Sequence, residues 1–157
     1  FGMSWAALLA LAVCGILLSV SLIDAETQTI PDRLNLALAV CGAVSVLLSP
    51  ADWLPHIIGA LCVSVPMFLL CLVIDGAFGG GDIKLLFLVG LFLGVAASAL
   101  NLVVACVMGI VFALATRRAR RDTDDPHVFP FGPSIALATW FTLMVGPQIL
   151  GWYFCLF

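Results

Sequence analysis

Charge is scarce in this chain. Of 157 residues only six are Lys or Arg and nine are Asp or Glu, together 10 %. Soluble domains carry about 25 % charged residues, so there is too little polar surface here to cover a globule in water. With only six basic residues against nine acidic ones, no nucleic-acid partner is expected. The C-x-x-C pattern is missing too. Cys14, Cys41, Cys62, Cys71, Cys106 and Cys155 stand singly in apolar stretches. That argues against a cysteine zinc centre and reads as six small buried hydrophobes. No metal and no other cofactor is expected. Alternation of polar and apolar residues is lacking in runs such as residues 85–93, which excludes a transmembrane barrel.

What is present is hydrophobic sequence: 64 % of residues, with a mean hydropathy of +1.25. The apolar stretches predict an all-α, polytopic transmembrane bundle of about six spans, forming one membrane-embedded domain over residues 1–157. The spans fall near residues 4–23, 34–48, 56–74, 85–93, 102–116 and 134–154. The first leads into an acidic turn and not a small-residue cleavage site, so it reads as a span and not a removable signal. Asp24 is expected to end it. Residues 49–55 read as a turn, and Pro66, Gly146 and Pro147 as bends. Residues 85–116 carry no charge and are too long for one crossing of a core about 30 Å thick. They must fold back, and the small residues of 94–101 are the expected turn.

All six basic residues (Arg33, Lys84, Arg117, Arg118, Arg120, Arg121) fall on one side of this arrangement. By the positive-inside rule that side is cytoplasmic. Both Asp24 and Asp82 then lie at the cytoplasmic edge of the bundle. An acid there is costly and is a functional-site candidate by default. Two carboxylates at one depth in a low dielectric share a proton. The ionised member then activates water while the neutral one polarises a scissile carbonyl, with neither metal nor covalent intermediate. Gly79, Gly80 and Gly81, just before Asp82, read as a flexible loop that lets an extended substrate approach the main chain.

The segment Gly79-Gly80-Gly81-Asp82-Ile83-Lys84-Leu85 resembles the GxGD motif of intramembrane aspartyl proteases, in the form used by type IV prepilin peptidases. Asp24, followed by five residues and then Ile30-Pro31-Asp32-Arg33-Leu34, resembles that family's first catalytic segment, and Pro130-Phe131-Gly132-Pro133 a third feature. The resemblance implies a multi-pass endopeptidase of the bacterial inner membrane. It would cut the basic leader from prepilins or pseudopilins of type IV pili or type II secretion, at the cytoplasmic face. Asp24 and Asp82 would be the catalytic pair, with Gly79, Gly80, Gly81 and Lys84 around the substrate and membrane lipid as the other partner. Many members also carry an N-terminal tetracysteine zinc half that N-methylates the product. Nothing in these residues matches that half, so no methyltransferase activity is expected of them.

Lys84 reads either as a positive-inside anchor or as a cation favouring ionised Asp82. Asp32 reads as a helix-start residue, and Glu26 and Asp75 as solvated. The cluster Arg117–Arg121 reads as a topology determinant and lipid-headgroup contact, with attraction of a basic leader by Asp122, Asp124 and Asp125 as the lesser alternative. His56 and His127 read as bystanders, and Phe131 as packed against the bundle beside a rigid turn. An ion- or proton-coupled transporter is the alternative, but it would want its carboxylates near mid-membrane and a repeat between halves.

Overall fold

In a computed structural model the described residues are 5–48, 53–73, 79–119 and 131–155, without the side chains of 116–119 and 154. They form six helices and no strand: α1 (Trp5–Thr27), α2 (Asp32–Leu48), α3 (Trp53–Val73), α4 (Gly80–Leu93), α5 (Val95–Ala119) and α6 (Gly132–Cys155). Four of them (α1, α3, α5 and α6) are long and apolar enough to cross a membrane. With 17 and 14 residues, α2 and α4 are shorter. This is an all-α membrane bundle. Expectations for Asp75, Arg120, Arg121, Asp122, Asp124, Asp125 and His127 lie outside the described residues.

Neighbouring helices close a ring in the order α1, α2, α4, α3, α5, α6, with α4 also touching α5 and α6. The shortest helix is thus the most enclosed. Its residues Leu85, Leu86 and Val89 are buried together with Val13, Leu17 and Val20 of α1, Leu38 of α2 and Ile135 of α6. The outer faces keep their leucines, isoleucines and valines exposed, as at Leu11, Leu18, Val73 and Ile110. Lipid is the solvent such a surface fits.

The helix ends depart from expectation in instructive ways. Asp24 does not end α1, which continues to Thr27. The Gln28 N–H still bonds the Asp24 carbonyl at 2.9 Å, and Gln28 then breaks the helix at φ 54. Of the turn expected over 49–55, Trp53 and Pro55 belong instead to α3. Proline is tolerated there since first-turn N–H groups have no helical partner. Helices α3 and α6 run on through Pro66 and Pro147.

The fold-back expected over 94–101 is a single residue. Gly94, at φ 78, makes the whole reversal, and its N–H bonds the Gly90 carbonyl at 3.1 Å. Positive φ is open to glycine at little cost. The small residues after it are helical, with Ser98 N–H bonded to Gly94 O at 2.9 Å. Likewise Gly80 and Gly81 are not loop but the first turn of α4, and only Gly79 stands outside as its N-cap. The backbone of α5 also carries Arg117 and Arg118, which were expected in the following loop.

Helices α3 and α4 touch backbone to backbone. A Cβ on Gly59 would lie 2.6 Å from the Gly94 carbonyl carbon, and one on Gly90 would lie 2.8 Å from the Ala60 Cα. Neither neighbour is a side chain that can swing away. Gly59→Ala and Gly90→Ala are expected to cost about 1–3 kcal/mol each through forced separation. Gly15→Ala, with nothing within 4 Å, should be neutral or stabilising. Thermal unfolding in detergent checks this, and equal midpoints for Gly59→Ala and Gly15→Ala would contradict the close approach.

Candidate active site

Asp24 lies in the last turn of α1, and its side chain is buried to 5 % exposure. Its Oδ2 accepts a hydrogen bond from the Gly132 N–H at 2.9 Å. Gly132 is the first residue of α6, so this N–H is one of the donors a helix start leaves without an intrahelical partner. Pro133, next in line, has no N–H to offer. The carboxylate therefore sits on the positive end of α6, where a negative charge is favoured. Contact is tight: a Cβ on Gly132 would come within 2.6 Å of the same Oδ2.

Asp82 occupies the third position of α4 and is exposed to only 8 %. Its N–H bonds the Gly79 carbonyl at 3.0 Å, and its carboxylate takes a backbone hydrogen bond from Gly79. An acid three residues after an N-cap reaches back in this way routinely. Each aspartate is thus tied to a backbone N–H at the start of a helix.

The two acids come from helices whose buried side chains join one core but whose backbones are not neighbours in the ring. They nevertheless stand within coulombic reach. The two motif segments also meet, since a Cβ on Gly81 would lie 3.2 Å from Ile30 Cβ. Both carboxylates lie at helix ends and not in mid-span, on the end of the bundle shared by the starts of α2, α4 and α6. Among the described residues no three His, Cys, Asp or Glu side chains form a metal-binding group.

Lys84 makes no ion pair with Asp24 or Asp82. It pairs with Asp32 at 3.2 Å, with both side chains exposed. Such a pair is worth about 0–1 kcal/mol. Asp32 is the first residue of α2, as a helix-start acid should be. Gly80 is open, with nothing within 4 Å of its Cβ position, and Glu26 is exposed. His56 is remote, its Nδ1 within 2.9 Å of the Leu91 carbonyl at the far end of α4. Phe131 is buried and packs on Gly109, as expected.

Sequence reading placed Gly132 in a rigid turn but missed its N–H as the partner of Asp24. The signal was there: a glycine followed by proline at a helix start leaves one N–H free to bind an anion. Asn35, buried in α2 with no hydrogen bond to either amide atom, was also missed.

Residues 11–114, which include both aspartates, match the model of the type IV leader peptidase family. Curated relatives are named prepilin leader peptidase/N-methyltransferase. The Neisseria gonorrhoeae protein is 32 % identical over 148 residues, covering 89 % of this chain and 49 % of the relative. That of Burkholderia pseudomallei strain K96243 is 36 % identical over 156 residues, 93 % of this chain and 49 % of the relative. The Bacillus subtilis strain 168 protein is 28 % identical over 158 residues, 98 % of this chain and 62 % of the relative. The chain spans about half the length of the curated relatives it matches. No solved structure matches it. With two thirds of its length under one family model, and both acidic motifs inside that match, the chain belongs to the type IV leader peptidase family.

Proposed function

We propose that residues 1–157 form the peptidase unit of a multi-pass inner-membrane enzyme that removes the leader from type IV prepilins or the pseudopilins of type II secretion. Asp24 and Asp82 are its catalytic pair, and methyl transfer is assigned to none of these residues. The observation that carries the reading is that two buried carboxylates, each held by a backbone N–H, stand within coulombic reach of each other at one end of the bundle.

The chemistry follows from one proton shared by the pair. The ionised carboxylate takes a proton from water, whose oxygen attacks the scissile carbonyl carbon. The neutral carboxyl gives its proton to the carbonyl oxygen, forming a tetrahedral diol. Collapse of the diol breaks the C–N bond: the proton taken from water passes to the leaving amine, and a diol hydroxyl returns its proton to the other carboxylate, restoring the pair. The Gly132 and Gly79 N–H bonds fix the carboxylate orientations, which is worth more than their strength as bonds. The end of the bundle bearing the aspartates faces the cytoplasm, so the leader is cut on that side.

Incubation of the chain in proteoliposomes with a panel of prepilins tests this. At least one is expected to shorten by a single cut at the edge of its apolar segment. A panel left uncut, with the protein folded, would overturn the reading.

A further inference from the structure

Beside α4 lies a lateral groove of about 540 Å³ between α2, α3 and α4. Its walls are apolar, including Leu36, Val65, Phe68 and Phe87, and its mouth is formed by Asp32 and Lys84. Leu36 and Phe68 are 68 % and 54 % exposed, so the groove opens sideways to the membrane. Two buried polar side chains line it, Asn35 and Ser64. Asn35 is 6 % exposed, lines the groove, and has no hydrogen-bond partner at either Nδ2 or Oδ1. A buried side-chain amide with neither end paired is costly, and a native structure that keeps one calls for a specific partner.

The chemistry of the amide says which partner. A side-chain amide offers a carbonyl acceptor and an N–H donor side by side. A backbone peptide group offers the complementary pair, but only in an extended segment, because a helix has already used both. The buried Ser64 hydroxyl donates to the Ala60 carbonyl at 2.6 Å, which leaves its oxygen free to accept a further N–H. Acyl chains would fill the groove and leave the amide unpaired. Anionic headgroups would need a free cation, and Lys84 is already matched by Asp32.

We propose that this groove seats the apolar segment of the polypeptide substrate next to the scissile bond in extended form, with the Asn35 amide pairing to its backbone. The proposal rests on the peptidase reading and names the substrate contact of that site. Ile83 and Lys84, the two residues after Asp82, form part of the groove wall. From the groove a peptide reaches the carboxylates over the first turn of α4. There Gly80 has no side chain and nothing within 4 Å of its Cβ position. Holding the segment extended exposes the bond that a helix would protect.

Three variants test it on a prepilin that the wild type cuts. Asn35→Leu keeps the volume and removes the unpaired amide, so the thermal midpoint should not fall. KM for the prepilin should nevertheless rise about tenfold with little change in kcat. Ala39→Phe fills the groove and should raise KM similarly. In an Asp82→Asn background, p-benzoylphenylalanine in place of Phe68 should cross-link on irradiation to the apolar segment of the prepilin. Wild-type KM in both Asn35→Leu and Ala39→Phe, or a cross-link to lipid alone, would overturn the groove assignment while leaving the peptidase standing. If the wild type cuts no prepilin, the peptidase reading falls, and the cross-link still decides whether the groove holds peptide.

Discussion

Asp24→Asn and Asp82→Asn are each expected to lower prepilin cleavage by about a thousandfold or more, with the bundle still folded. An asparagine at either position keeps the shape of the side chain. Its carbonyl oxygen can still accept from Gly132 N–H or Gly79 N–H, so the local structure has no reason to change. What it cannot do is exchange a proton. The proposed pair acts as one unit, so removing the second acid should add little once the first is gone. The double variant should therefore be no slower than the worse single variant by more than a small factor. Removing a buried charge also relieves a desolvation cost, so thermal midpoints should hold or rise. Near-normal turnover in either single variant, measured by loss of full-length prepilin, would show that the pair is not the catalyst.

Gly132→Ala is the second large effect, and sequence alone gave no reason to expect it. The added methyl would sit 2.6 Å from Asp24 Oδ2 and 3.0 Å from its Cβ and Cγ. Real carbons do not approach so closely, so the carboxylate must swing away from the α6 start. Misplacing a catalytic group by a fraction of an ångström to an ångström costs about a hundredfold. The loss should fall on kcat, since the methyl touches the acid and not the groove. Helix α6 should tolerate it well, alanine being the better helix former. A folded Gly132→Ala protein with wild-type kcat would mean that the Gly132–Asp24 contact is incidental to the chemistry.

The contrast between these two predictions marks what the sequence discloses. Asp24 and Asp82 stand out because a charge in an apolar run has no structural excuse. The spans stand out because lipid demands long apolar stretches. Helix ends do not stand out in the same way. These helices are apolar all round, so no amphipathic rhythm marks where one stops. Asp24 therefore looked like a terminus while lying inside α1. The eight-residue turn expected at 94–101 shrank to Gly94, whose positive φ does alone what small residues were expected to share. The bond from Gly132 to Asp24 joins residues 108 apart in the chain, which no local pattern can report. Asn35 was hidden for a related reason: one asparagine among leucines looks like a surface residue until the neighbouring helices are in place. The transporter alternative lost ground through position, since the acids sit at helix ends and not at mid-span.

The most direct measurement is N-terminal sequencing of the product after a prepilin has been incubated with this chain in proteoliposomes, alongside Asp24→Asn and Asp82→Asn. The wild type should yield one new amino terminus at the edge of the apolar segment, and neither variant should yield any. A cut that persists in both variants, or the absence of any cut by the folded wild type, would contradict the assignment of peptide hydrolysis to these two carboxylates.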